Sequence, residues 1–271
     1  MIFVHGFFGD AWSTWEDFQS LPDEDPSQQE RWHKTDLYFY EYRGASNFIV
    51  KSAQDFTAFV SSVYPQPNEG TFSVTSTITG ILLNDRSKPI RPHIQPYRKL
   101  ILIGHSLGGV VLRYAVADAL RRCYQQRLAD TDVPTWLRHA HLCLFAPAHR
   151  GFRPSSWKAL LMKLPYWGST LAAVPVLWRA YSDLQPHSAL IEDLQRRTKS
   201  LGIEYPDTSA LRARCAFGSK EDIVEPLDFD DDIELHVIEG VGHTGICKPN
   251  HAFLEPMEFL NNAPGPLSAR A

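Results

Sequence analysis

A serine flanked by glycines follows an apolar run near the middle of the chain. The segment GHSLGG (104–109) carries Ser106 in the spacing G-x-S-x-G, directly after the run KLILI (99–103). A serine on a sharp turn between a strand and a helix can attack a carbonyl carbon as a nucleophile. The spacing is short enough to arise by chance, so the interpretation depends on partner residues elsewhere in the chain.

A candidate base for this serine lies near the end of the chain. His243 stands in a glycine-rich loop, GVGHTG (240–245), directly after the apolar run 235–238. A loop imidazole at the edge of a sheet can accept the serine proton. His236 lies inside the predicted strand and His251 begins the following helix, so both are weaker candidates than His243.

The base needs a carboxylate that orients it, and the loop after the preceding strand supplies three. Asp222 is the first choice, because the apolar pair Ile223–Val224 that follows can anchor it. Glu221 is the second choice and Glu225 the third. The order serine, acid, histidine along the chain is typical of one large class of serine hydrolases.

Acyl transfer also needs N–H donors for the oxyanion that forms on the carbonyl oxygen. One candidate is the amide of Leu107, the residue after the nucleophile. The other lies in the loop HGFFG (5–9), which follows the apolar run 2–4. There we expect the Phe7 amide to face the site, with the Phe8 amide as the second choice.

Short apolar runs alternate with segments of helical spacing and predict the framework that positions these residues. The alternation predicts an α/β fold with a doubly wound, mostly parallel sheet. Helices are predicted over 49–63, from about 108 to 120 and over 251–260. The predicted strands are 2–4, 37–40, 100–103, 141–145, 214–217 and 235–238.

Two segments interrupt the alternation. Residues 65–98 predict an irregular insertion with a hairpin within 72–83. Residues 151–200 are rich in aromatic and aliphatic side chains and predict a helical cap inserted into a core of 1–150 and 201–262, with a flexible tail over 263–271. The residues expected to bind substrate are Phe8, Trp157, Leu161, Trp167 and Trp178.

The composition of the chain limits which partners and which cellular location we expect. The chain has 271 residues, 44% of them hydrophobic and 21% charged, with a net charge of −4. A nucleic-acid-binding protein usually carries a basic stripe, so we expect no nucleic-acid partner. The four cysteines lack metal-ligand spacing and predict buried free thiols. With no signal peptide or apolar span in the sequence, we expect a cytoplasmic protein.

Together these motifs resemble the α/β-hydrolase fold of serine esterases and lipases, and most closely the serine esterases related to the GPI inositol-deacylases. The resemblance implies Ser106, Asp222 and His243 as a catalytic triad, with Phe7 and Leu107 as oxyanion donors. The chain begins in the strand before the His-Gly pair, so we expect a shortened N-terminal edge of the sheet. It also carries FAPAHRG (145–151) where related sequences often have Thr-Pro-His-x-Gly. The motifs are FVHGFFGD (3–10), YEYRG (40–44), LILIGHSLGGVV (100–111), DLQPHSALIEDL (183–194), FGSKEDIVEP (217–226) and GVGHTGICKP (240–249).

The residues and the resemblance predict a carboxylic ester hydrolase that needs no metal or organic cofactor. Its substrate would be a small-molecule or lipid ester, because the apolar cap could hold an acyl or alcohol group and touch a membrane. Two alternatives stay open: a thioesterase or amidase with the same triad, and a non-catalytic interaction protein with this fold. The natural substrate and the oligomeric state are left open by the sequence.

Overall fold

Six parallel strands form the central sheet in the computed structural model of the protein. The structure describes residues 1–7, 9–18, 35–42, 49–67, 75–78, 81–84, 96–128, 132–153, 182–227, 229 and 232–261. In chain order the strands are β1 (Ile2–Val4), β2 (Tyr38–Tyr40), β3 (Thr75–Ile78), β4 (Ile81–Asn84), β5 (Leu100–His105), β6 (Ala140–Phe145), β7 (Ala213–Gly218) and β8 (Glu234–Ile238). The sheet order is β2-β1-β5-β6-β7-β8, which confirms all six predicted strands. The pair β3–β4 forms the hairpin expected within 72–83.

Within the described ranges, five complete α-helices connect or follow these strands. They are α1 (Ile49–Val63), α2 (Leu107–Gln125), α3 (Thr135–His139), α4 (Ala189–Glu204) and α5 (Glu255–Asn261). Helix α1 matches the prediction, α2 continues five residues beyond the predicted end, and α5 begins four residues later than expected. Asn250 and Phe253 exchange main-chain hydrogen bonds across a tight turn before it. Pro256 is tolerated only in the first turn of a helix, so α5 begins at Glu255.

Both faces of the four central strands are covered, as the continuous apolar runs predict, whereas the edge strand β2 is half-buried and the edge strand β8 is mostly exposed. Leu144 of β6 faces α2, because a Cβ atom at Gly109 of that helix would lie 3.7 Å from its Cδ2 atom. Successive side chains of a strand point to opposite faces, so Phe145 lies on the other one. Its ring there packs against the rings of Trp15, Phe18 and Phe259 of α5. Helices α1 and α4 flank α2 on the first face.

The order of the strands fixes where a site can form. The chain passes from β1 to its neighbour β2 on one side and later returns through β5 on the other side of β1. In open α/β sheets, ligands bind beyond the carboxyl ends of the strands at such a reversal. The loops that leave β1 and β5 therefore meet at the expected place for a site.

Part of the predicted cap belongs to the layer over the sheet. Helix α4 begins within 151–200 and packs against α2, and its buried residues include Ile191 and Leu194. Residues 154–181 and the tail lie outside the described part of the chain. Among the described helices, none is both long and apolar enough to cross a lipid bilayer. The four cysteines are free and buried, as predicted.

A buried ion pair joins α2 to the segment before β8. The side chains of Arg113 and Asp232 are 2% and 1% exposed. Arg113 also donates through Nε to Nδ1 of His149 (2.9 Å), whose Nε2 donates to the carbonyl of Leu227 (2.6 Å). Burial raises the pKa of Asp232, but the charge of Arg113, together with the hydrogen bonds that Arg113 and the Ala213 N–H donate, leaves that pKa below its usual value. This pair ties the helix after Ser106 to the chain between β7 and β8.

Replacing Asp232 should therefore be costly. Asp232→Asn keeps the shape of the side chain but leaves the Arg113 charge buried without its partner, so we expect the free energy of unfolding to fall by about 3–5 kcal/mol at pH 7. Urea unfolding followed by circular dichroism measures this value. The matched control is Asp193→Asn, at a more exposed pair with Arg196 and Arg197, where the loss should stay below about 1 kcal/mol. Equal losses in the two variants would contradict this account.

Candidate active site

The turn between β5 and α2 holds Ser106 in a conformation that L-residues rarely adopt. Ser106 has φ 52° and ψ −118°. Its N–H donates to the carbonyl of Phe145 (3.0 Å), and its carbonyl accepts from the N–H groups of Gly109 and Ala148 (3.1 Å each). These main-chain hydrogen bonds offset the strain, which costs of order 1–3 kcal/mol. The strand-to-helix turn predicted from the G-x-S-x-G spacing is present.

Two glycines allow the helix to approach the sheet closely at this turn. A Cβ atom at Gly104 would lie 2.8 Å from the nitrogen of Gly109. A Cβ atom at Gly108 would lie 2.3 Å from the carbonyl oxygen of Val4 and 2.5 Å from that of His5. All three distances are shorter than real contacts of a Cβ atom, so larger residues would force the main chain apart. The end of β1 is thereby held directly against the first turn of α2.

His243 is hydrogen-bonded to a buried carboxylate. Its Nδ1 atom lies 3.0 Å from Oε1 and 3.1 Å from Oε2 of Glu221. Oε1 also accepts from the N–H groups of Ile223 (2.8 Å) and Val224 (3.0 Å). Burial raises the pKa of Glu221, but its hydrogen bond to His243 and the two N–H donors leave that pKa below its usual value. A carboxylate can only accept, so Nδ1 of His243 carries the proton and Nε2 is left to accept one.

The acid at His243 differs from the first choice made from the sequence. The structure places Glu221 there, whereas the side chain of Asp222 is exposed. The N–H of Glu221 donates to the carbonyl of Gly218 (3.0 Å) in a tight turn that directs its side chain inward. Its carboxylate accepts from the amides of Ile223 and Val224, two and three residues later, but this pattern is typical of Asp and Asn, so no local sequence signal favoured Glu221.

A second histidine, which the sequence analysis did not single out, links His243 to the nucleophile turn. His105 directly precedes Ser106, and its Nε2 donates to the carbonyl oxygen of His243 (2.9 Å). The two imidazole rings lie 4.9 Å apart. Burial, and then the nearby His243, lower the pKa of His105 to about 3, so it stays neutral. This contact holds the loop after β8 beside the turn after β5.

The predicted oxyanion donors are the N–H of Leu107, directly after Ser106, and the N–H of Phe7, in the loop after β1. Leu107 is the first residue of α2, so its N–H has no acceptor in a preceding helical turn. Phe7 follows β1 and is half-buried. The residues predicted to bind substrate lie outside the described part of the chain: Phe8, Trp157, Leu161, Trp167 and Trp178.

One cluster of described residues has metal-binding side chains close together, away from this turn. His149, Cys215 and Asp232 offer ligand atoms within 4.8 Å of one another. Arg113 already donates to His149 and to Asp232, and its guanidinium lies among the same atoms. A cation at that place would be repelled by the guanidinium charge, so the cluster fits the buried ion pair described above better than a metal site.

Comparisons with known proteins agree with this architecture. A lipase from Bacillus licheniformis superposes with a TM-score of 0.54 and 14% identity, over 96% of this chain and 90% of the lipase. The lin2722 gene product of Listeria innocua superposes with a TM-score of 0.50 and 12% identity, over 97% and 94% of the two chains. No curated protein sequence matches the chain significantly.

Membership of a protein family follows from a match to a family sequence model, because structural similarities at such low identity show only the fold. The model described as the alpha/beta hydrolase family matches residues 1–261. That range includes all six strands of the sheet and the turn that carries Ser106. The chain therefore belongs to the alpha/beta hydrolase family.

Proposed function

We propose that the protein is a serine hydrolase that cleaves carboxylic esters, with Ser106 as nucleophile, His243 as base and Glu221 as the acid that orients the base. The observation that carries the proposal is the buried Glu221–His243 hydrogen bond beside the strained turn at Ser106. A strained serine, a histidine with a free Nε2 and a carboxylate on its Nδ1 are the three parts that acyl transfer by this mechanism needs.

The reaction would proceed through an acyl-enzyme. Nε2 of His243 takes the Ser106 proton while Oγ forms a bond to the ester carbonyl carbon. The oxyanion accepts hydrogen bonds from the N–H groups of Leu107 and Phe7. His243 then gives the proton to the leaving alcohol as the C–O bond breaks. Water, activated by the same histidine, hydrolyses the acyl-enzyme and returns the proton to Ser106.

Glu221 would act through His243 in this scheme. As a carboxylate it holds the proton on Nδ1, so that Nε2 faces the serine as an acceptor, and it stabilises the imidazolium that forms. Its two further hydrogen bonds, from Ile223 and Val224, fix the carboxylate before substrate arrives. A fixed acid costs little reorganisation at the moment of reaction.

An apolar or lipid-like ester is the substrate class that we propose. The aromatic and aliphatic residues within 151–200 would bind an acyl or alcohol chain and could touch a membrane surface. The resemblance to serine esterases related to the GPI inositol-deacylases supports a lipid-like ester. The similar Bacillus licheniformis structure is named a lipase, which supports the same class.

Covalent labelling tests the nucleophile. A fluorophosphonate probe should label the wild-type protein at Ser106, as located by peptide mass spectrometry. Ser106→Ala should lose the label and at least about 10⁴-fold of its p-nitrophenyl ester turnover. The control is Ser62→Ala, whose hydroxyl donates to the Phe59 carbonyl within α1, and it should label like wild type. Folded wild-type protein that does not react would overturn the proposal.

A matched pair of substitutions tests the acid. Glu221→Gln removes the charge but keeps an oxygen acceptor, and we expect kcat to fall between about 10²- and 10⁴-fold. Asp222→Asn, at the neighbouring exposed side chain, should change kcat by less than about threefold. Steady-state kinetics on one p-nitrophenyl ester measures both variants. The opposite ranking would assign the orienting role to Asp222.

Esters of increasing length test the substrate class. Each buried methylene contributes about 0.8 kcal/mol, so kcat/KM for p-nitrophenyl esters should rise from the acetate to longer acyl chains. The matched thioester and anilide of the best chain should be poorer substrates. A flat profile or an optimum at acetate would contradict a lipid-like substrate. A better thioester or anilide would instead favour a thioesterase or an amidase.

A further inference from the structure

The peptide bond between Gly6 and Phe7 is held by a side chain that the reaction scheme above does not use. We infer that His5 is a positioning residue for the oxyanion site, and that Tyr42 fixes the ring tautomer in which His5 acts. The inference rests on the proposed hydrolase function, because it concerns the direction of the Phe7 N–H. It follows from three sets of contacts.

The first set fixes the plane of this peptide. The carbonyl oxygen of Gly6 accepts a hydrogen bond from Nδ1 of His5 (2.8 Å) and another from the N–H of Gly9 (3.2 Å). The Gly6 carbonyl and the Phe7 N–H belong to one planar trans peptide and point in opposite directions. Two donors on the carbonyl therefore also set the direction in which the Phe7 N–H points.

The second set fixes the proton on the His5 ring. Nε2 of His5 accepts from the main-chain N–H of Tyr42 (3.3 Å), and the two rings stack with centroids 4.5 Å apart. The Tyr42 hydroxyl donates to the His5 carbonyl oxygen (3.0 Å). A main-chain N–H can only donate and a carbonyl can only accept, so the ring is neutral with its proton on Nδ1. Burial also lowers the pKa of His5, which favours this neutral form.

The third set places the peptide at the nucleophile. A Cβ atom at Gly6 would lie 3.0 Å from Cβ of Ser106 and 3.0 Å from Nδ1 of His105. The peptide that His5 holds thus begins in direct contact with the turn of Ser106. A hydrogen bond to the carbonyl end of a peptide also polarises it, which makes the N–H at the other end a better donor.

Loss of the His5 donor should affect the transition state more than substrate binding. Without it, the Gly9 N–H is the donor that remains to the Gly6 carbonyl among the described residues, and the peptide gains freedom to rotate away. A donor that meets charge only in the transition state changes kcat rather than KM. This split separates positioning from a general loss of folding.

Two substitutions of similar size separate the His5 donor from the bulk of its ring. The amide nitrogen of Asn can occupy the position of Nδ1, so His5→Asn keeps a donor for the Gly6 carbonyl. The amide of Gln reaches the position of Nε2, so His5→Gln leaves that carbonyl without a side-chain donor. The control is His141→Asn, at a buried histidine on β6 near the opposite, amino end of the strands.

Steady-state kinetics and inhibition by a trifluoromethyl ketone, whose adduct carries an oxyanion, test the inference. We expect His5→Gln to lower kcat between about tenfold and a hundredfold, to weaken the inhibitor in parallel and to leave KM within about twofold. His5→Asn and His141→Asn should stay within about fivefold of the wild-type kcat. The thermal unfolding temperature of each variant shows whether a lower kcat comes from a loss of folded protein.

The possible outcomes separate a failure of the inference about His5 from a failure of the proposed hydrolase function. Equal losses of kcat in His5→Asn and His5→Gln, an unchanged kcat in His5→Gln, or a change confined to KM would overturn the role of His5 while leaving the hydrolase intact. A wild-type protein that shows neither turnover nor fluorophosphonate labelling would overturn the proposed function, and the inference with it.

Discussion

The arrangement of the site depends on the close approach of α2 to the ends of β1 and β5. No side chain fits at Gly108, where the helix meets the carbonyl oxygens of Val4 and His5. This approach holds Ser106 in its strained turn and sets the loop after β1 beside it. The main chain that would supply the oxyanion donors is thus positioned by the packing of the core.

Buried polar contacts hold the later parts of the chain, the loops after β7 and β8, against the turn at Ser106. His105 holds the main chain at His243, and Glu221 holds its ring. The pair Arg113–Asp232 ties α2 to the segment before β8. Each contact joins residues far apart in sequence, and each would leave a buried polar group without a partner if broken. The penalty for such groups gives the loops around Ser106 one preferred arrangement.

The strands and the turn at Ser106 could be predicted from the sequence, whereas several side-chain contacts of the site could not. Apolar runs such as 100–103 predicted every strand of the sheet. The four central strands are apolar because they are buried on both faces, and the edge strands β2 and β8 keep apolar runs although they are more exposed. The turn at Ser106 was predictable because the glycines that allow it, Gly104 and Gly108, lie within two residues of the serine. The choice between Glu221 and Asp222 was not, because it depends on which of two neighbouring side chains a tight turn directs inward. His105 was missed because its acceptor, the carbonyl of His243, lies 138 residues away.

A crystal structure of the protein after reaction with a phosphonate ester tests the central claim most directly. The proposed site predicts phosphorus bonded to Oγ of Ser106, with the phosphoryl oxygen about 2.7–3.1 Å from the N–H groups of both Phe7 and Leu107. It also predicts that Nε2 of His243 faces the adduct while Nδ1 stays on Glu221. Phosphorus on another residue, or a phosphoryl oxygen that contacts neither N–H, would contradict the proposal.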